Sequence, residues 1–162
     1  MDEESYGVLR THRDGSSIID YELSGWVYFV LGEQPLNMIK IGFTASHPDR
    51  RFKDIATSFP VPLSKLGAIP GTLCVEKLFH SWFTVLHKRA EWFEVHPILT
   101  DFMEVHIKPW PDPKANTERF THERARDIQI LWGQRLRECT QDNKERIWQK
   151  RLERVRLGEM TI

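Results

Sequence analysis

The sequence predicts an α+β domain with a helical extension at its C-terminal end. Three observations carry this. Residues 26–31 and 38–43, two apolar and aromatic runs around a Gly-, Pro- and Asn-containing loop, have the composition and period of strands. Residues 52–59 and 75–86 space their apolar side chains at helical intervals. A stretch with three prolines in seven residues, KPWPDPK, then separates these elements from a long helical pattern over residues 117–157.

Length and composition set the limits. With 162 residues, 40% of them hydrophobic, the chain can pack one main domain and is too apolar to be disordered throughout. Its 23 basic and 23 acidic side chains cancel, so nucleic acid can be held only through local patches. Residues 1–23 carry six acids against Arg10 and Arg13, which suits a solvated tail. Residues 117–162 carry eleven basic and eight acidic side chains, suiting phosphate contact or an ordinary charged helix surface. Cys74 and Cys139 are far apart, and the acidic start has no apolar leader. Both features predict a cytoplasmic, intracellular protein with reduced thiols. No apolar run approaches the ~20 residues a membrane helix needs.

In chain order, residues 1–24 form an N-terminal arm, in which Asp14-Gly15 is a turn signal; a marginal hairpin and a flexible arm both fit. Residues 25–107 form the domain. Val27, Phe29, Leu31, Ile39, Ile41 and Phe43 occupy the odd positions of the first two strands. Tyr28, Lys40 and Gly42 therefore share the opposite face, and the pattern favours a register with Tyr28 opposite Lys40 and Phe29 opposite Ile39. Ser46 is the expected cap of the next helix, with Pro48 in its first turn and Phe52, Ile55, Ala56 and Phe59 as its apolar face. At about 100° per residue, Arg51 flanks that face and Arg50 points away from it.

Residues 63–69 read as a third strand closed by Pro70-Gly71. Thr72 caps a helix running to about Arg89, with Val75, Leu78, Phe79, Trp82 and Leu86 inward. Glu76, His80, Phe83 and His87 fall within about 60° of one another on its border, where a cleft wall would lie. Residues 91–95 suit a short strand or an extended plug, and Pro97 starts another helix. Residues 108–116 form a stiff linker. In the extension, residues 117–162, one stripe holds Ile128, Leu131, Trp132 and Leu136 and another Ile147, Trp148, Leu152 and Val155, with a break or cap expected at Asp142-Asn143. Each stripe needs cover: the domain itself, a helical hairpin, or a second copy.

Taken singly, a tyrosine on a strand, an arginine on a helix and a Glu–His pair four residues apart are ordinary. Together, and in this order, they hold the parts for cutting a phosphodiester. Glu76 can hold a divalent cation, Mg²⁺ or Mn²⁺. Arg51 can fork onto non-bridging phosphate oxygens. Tyr28, its proton drawn off by a cation such as Lys40, can act as base or position water, and His80 can relay a proton. Lys40, Arg51 and Lys53 are the candidate nucleic-acid contacts.

The ordered set VYF, KIG, Arg51 on the following helix, Glu76 and His80 on a later helix, then EWF resembles the GIY-YIG nuclease superfamily. It is most similar to that superfamily's phage-type, nuclease-like and DNA-binding branch. The resemblance covers residues 26–103. It implies a small three-stranded antiparallel sheet flanked by helices, Tyr28, Lys40, Arg51, His80 and Glu76 as catalytic residues, a single divalent metal on Glu76, and cleavage of DNA. Lys40 stands where better-known members carry tyrosine, and Glu91 stands near the position of the terminal asparagine of homing-type members. Two other functions fit the same residues: a nucleic-acid-binding module with weak catalysis, and a phage-type interaction protein. The C-terminal helices would then serve DNA contact, a homodimer or a partner protein.

Overall fold

The structure, a computed structural model, describes residues 8–11, 17–20, 24–111 and 122–158. The Asp14-Gly15 turn, residues 112–121 and the Leu131 side chain lie outside the described residues. Strands β1 (Val8–Thr11) and β2 (Ser17–Asp20) pair antiparallel as a two-stranded sheet. The main sheet is built from β3 (Ser24–Gly32), β4 (Met38–Thr44), β5 (Leu63–Thr72), β6 (His87–Arg89) and β7 (Trp92–Glu94). Four helices accompany it: α1 (Pro48–Ser58), α2 (Leu73–Trp82), α3 (Pro97–His106) and α4 (His122–Arg156). A 3₁₀ turn, Thr84–Leu86, links α2 to β6. No helix among the described residues is long and apolar enough to cross a membrane.

The expected three-stranded sheet is corrected to five strands, all antiparallel, in the order β5-β3-β4-β7-β6. Of the two additional strands, β7 realises the short-strand reading of residues 91–95, and β6 spans only three residues, too short for alternation to reveal. They form because the outer edge of β4 would otherwise leave backbone donors and acceptors without partners. Met38, Ile39 and Lys40 pair with Glu94, Phe93 and Trp92. Ala90, at φ 46°, takes the left-handed conformation that lets the chain turn tightly between β6 and β7.

The β3–β4 register also differs from expectation. Tyr28 lies opposite Gly42, Phe29 opposite Ile41, and Val30 opposite Lys40. The shift is two residues, so every side chain keeps its face. Its cause is steric: a Cβ at position 42 would stand 2.5 Å from Tyr28 Cζ, so only glycine leaves room for the ring. The loop between the strands is accordingly five residues long, closed by Leu36 and Asn37 N–H groups donating to the Glu33 carbonyl.

Alternation decides what covers each face. Val27, Phe29, Ile39 and Ile41 join Val75, Phe79, Leu99 and Phe102 in the larger core. Tyr28, Val30 and Ala68 form a smaller cluster under Trp26, Phe52, Ile55 and Trp110. Helix α1 is capped by His47 rather than Ser46, its Nδ1 accepting from the Asp49 N–H at 3.2 Å. Thr72 does cap α2, accepting from the Val75 N–H. That helix stops at Trp82, not near Arg89, so Phe83 falls into the core and His87 onto β6. Strand β5 continues through Pro70-Gly71; as an edge strand it tolerates a residue without an N–H.

The start of the proline-rich stretch is tied to the domain, with Trp110 half-buried and Pro111 buried. Lys108 C=O accepts from the Ala68 N–H at 3.2 Å, and Trp110 Nε1 donates to Asp49 at 2.7 Å. Helix α4 is unbroken at Asp142-Asn143, because Asn143 turns inward and donates to the Val85 carbonyl at 3.2 Å. Its first stripe folds back: Ala125, Ile128, Trp132 and Cys139 are buried in the larger core. The second stripe is exposed at Ile147, Trp148 and Leu152. Trp132 anchors the contact, its Nε1 donating to His106 Nε2 at 2.8 Å and its ring edge-on to Phe102. Trp132→Ala should lower unfolding stability by about 3–5 kcal/mol, whereas Trp132→Phe keeps most of the packing and should cost about 1 kcal/mol for the lost hydrogen bond. Urea denaturation followed by circular dichroism reads both.

Candidate functional site

The site forms where β4 outruns β7. Lys40 is the last β4 residue paired with β7, and the next N–H, from Ile41, donates to the Glu91 carbonyl at 3.0 Å. On the other side Ile41 C=O accepts from His80 Nε2 at 2.8 Å. Helix α2 thus reaches this margin of β4 through His80, while α1 brings Arg51 to Tyr28 on the neighbouring β3. Alternation and helix phase together bring side chains from four distant segments to one place.

Tyr28 is the floor of the site. It is 1% exposed, its ring lying across Gly42. Burial, then the nearby Glu91 charge, hold its hydroxyl well above the usual phenol range, while a hydrogen bond from Arg51 and the Arg51 charge oppose them. Burial wins, so Tyr28 keeps its proton at neutral pH. Arg51 is half-buried on α1 and engages Tyr28, whereas Arg50 is exposed. Lys53 is exposed on the same helix and stands outside the buried cluster.

Lys40 shares the Tyr28 face but does not lie opposite it. Its ammonium forms an ion pair with Glu91, and both side chains are nearly buried, at 12% and 13% exposure. The same ammonium sits 5.8 Å from the centroid of the Trp92 ring, which stacks on Phe59, the residue that ends α1. Glu91 acts electrostatically on Tyr28, Glu76 and His80 as well. Glu91 is not among the catalytic residues expected from the sequence, where it stands only near the position of the homing-type asparagine. The available signal was its place in the EWF block, immediately before β7.

Glu76 is the unusual member. It sits in the first turn of α2, where the helix dipole favours an anion, yet it is 0% exposed. Neither carboxylate oxygen has a hydrogen-bond partner among the described residues. Lys77 Nζ at 3.6 Å lies beyond hydrogen-bond reach. His80 Nε2 is 3.2 Å from Oε1, but its proton is directed to the Ile41 carbonyl, so that contact is electrostatic only. Desolvation outweighs the helix dipole and the opposing Lys77 charge, and the Glu76 pKa is pushed up to about 8, with Glu91 adding to the rise. Burial lowers the pKa of His80, which is neutral at physiological pH.

Among the described residues no group of three or more His, Cys, Asp or Glu side chains forms a metal cage. A site with one protein carboxylate needs no cage: Mg²⁺ keeps several waters and takes its other ligands from substrate phosphate. A buried carboxylate with two unsatisfied oxygens fits that demand, because a buried polar group without a partner is costly unless something else satisfies it. Residues 25–110, just over half of the chain and the span that builds this site, match the T5orf172 domain. No curated protein and no solved structure matches.

Proposed function

We propose a nuclease function on one premise: the chain belongs to the T5orf172 domain family, a phage-associated domain related to a nuclease fold. The family points to nucleic acid as the partner. The finer reading is a metal-dependent endonuclease that hydrolyses DNA phosphodiester bonds with a GIY-YIG-like set of residues. One observation carries it: the unsatisfied, wholly buried Glu76 carboxylate in the cluster that contains the Tyr28–Arg51 pair.

Arg51 binds the non-bridging phosphate oxygens through its planar fork and gives the scissile group one orientation. Tyr28, protonated at rest, donates a hydrogen bond and positions the attacking water. It becomes a base only when additional positive charge enters the site and draws the proton off. His80 holds α2 against β4 through the Ile41 carbonyl and thereby sets where Glu76 stands. Glu76 would hold Mg²⁺ or Mn²⁺, which when bound supplies Lewis-acid stabilisation of charge developing on the phosphate oxygens.

Nicking of supercoiled plasmid in the presence of Mg²⁺ or Mn²⁺ tests this directly. Loss of nicking in Tyr28→Phe supports it. Plasmid that is retarded but never cut, with binding that weakens steeply as salt rises, would replace the enzyme with a binding module. Arg51→Ala should slow cleavage by about a hundredfold, the range for removing one positioned donor to developing charge. Arg50→Ala should change the rate less than about twofold, since an exposed charge is screened by solvent. Equal effects of the two substitutions would remove Arg51 from the site.

A further inference from the structure

We infer that Glu91 is a positioning residue of this site, acting through Lys40: its carboxylate anchors the Lys40 ammonium on the face of β4 that also carries Gly42, the residue opposite Tyr28. The inference rests on the nuclease reading for the DNA phosphate that Lys40 would contact, and on the ion pair itself for how Lys40 is held.

Lysine is a poor fixed cation by itself. Its charge ends a four-carbon stem with three donors, and immobilising that stem costs side-chain entropy. Here the cost is offset by surroundings that are unusually well determined. The Glu91 main chain is fastened by the Ile41 N–H donating to its carbonyl. The preceding turn is fastened by the Ala90 carbonyl accepting from His87 Nε2 at 2.8 Å. The following residue, Trp92, is pinned by its pairing with Lys40 and by its stack on Phe59 at 4.9 Å between centroids. The carboxylate therefore projects from a backbone that cannot drift, and it occupies one of the three Lys40 donors. The other two remain for a phosphate or a water oxygen.

The pair also solves an electrostatic problem. A Glu91 carboxylate without a partner would repel DNA phosphate, and a lone Lys40 would collapse onto the nearest acceptor, including the unsatisfied Glu76 oxygens. Paired, the two present little net charge. Glu91 thus keeps Lys40 off Glu76 while holding it within electrostatic reach of that carboxylate.

Glu91→Gln keeps shape and removes the charge, and the backbone bonds of Glu91 are untouched by it. In plasmid nicking with Mg²⁺ the variant should lower kcat by about ten- to a hundredfold, the usual cost of losing a partner that orients a reacting group. KM for DNA should be unchanged or lower, because a negative charge near the phosphate path is gone. In a Lys40→Ala background the same substitution should alter kcat by less than about twofold, since non-additivity marks residues acting through one another. Full effects in both backgrounds, or a rise in KM with kcat unchanged, overturn the inference.

A second readout is independent of activity. The ¹⁵Nζ signal of Lys40 should be slowed in exchange in the native protein and lost to exchange in Glu91→Gln. A Lys40 signal indifferent to Glu91→Gln overturns the inference even if cleavage falls. A native protein that never nicks DNA, with the Lys40 signal behaving as expected, instead overturns the nuclease reading and leaves the anchoring of Lys40 in place.

Discussion

Glu76→Gln should abolish metal-dependent nicking, lowering it by at least about a hundredfold, and at the same time make the folded protein more stable at alkaline pH. The first effect follows from removing the anionic ligand. The second follows from burial. In the unfolded chain a glutamate carries its ordinary carboxyl pKa, whereas in the native site Glu76 titrates near 8. Between those values the native state holds a proton that the unfolded state has released. Stability therefore falls as pH rises through that window, by at most about 1.4 kcal/mol per unit. Below the window the group is protonated in both states and the penalty disappears. Glutamine has no proton to lose, so the gap between variant and native protein should widen from pH 5 to pH 9 by a few kcal/mol. Urea denaturation at the two pH values measures it.

Adding Mg²⁺ at pH 8 should return stability to the native protein and leave Glu76→Gln unchanged, because only a ligand of the folded state stabilises it. A constant gap across pH would mean that Glu76 is not held away from water. Metal-dependent cleavage that survives Glu76→Gln would falsify the metal assignment, whatever happens to stability.

Gly42→Ala should strain the floor of the site directly. The added Cβ would stand 2.5 Å from Tyr28 Cζ and 2.9 Å from Cε2, well inside van der Waals contact. The ring cannot swing aside, since Tyr28 is fully buried and packed with Val30 and Ala68 under Phe52 and Ile55. Overpacking of this kind costs about 1–3 kcal/mol. Any relief must come from moving Tyr28, and with it the hydroxyl that meets Arg51. Gly42→Ala is therefore expected both to lower the denaturation midpoint and to slow plasmid nicking by about tenfold or more. In a Tyr28→Ala background the methyl meets no ring, so the stability cost of Gly42→Ala should vanish. A cost that persists without the ring would place the strain elsewhere in β4.

The glycine of the KIG run is therefore there for space, not for backbone conformation. That reason could not be read from the sequence, where Gly42 appears only as sharing a face with Tyr28 and Lys40. The face shared by Tyr28, Lys40 and Gly42 was legible, because alternation needs only the two strands themselves. Which of them lies opposite which was not, because register depends on how the Tyr28 ring packs across the neighbouring strand. The contrast between Arg50 and Arg51 was likewise legible from helix phase, while the engagement of Arg51 with Tyr28 required α1 to sit on that face of the sheet.

Legible in the sequence are the α+β class, the order of the central elements, the faces of β3, β4 and α1, and the cap at Thr72. Each of these depends on residues within a turn or two of one another. The tertiary structure decided the fifth and fourth strands, the end of α2 at Trp82, the unbroken α4 folded over the core, and the pairing of Lys40 with Glu91, 51 positions away in the chain. A three-residue strand has too few side chains to show a period, and β7 covers the β4 edge while β6 in turn covers β7. Glu76 follows the same logic. Its helix phase marked it as a border residue, but its unusual proton affinity arises because the folded chain buries its carboxyl completely.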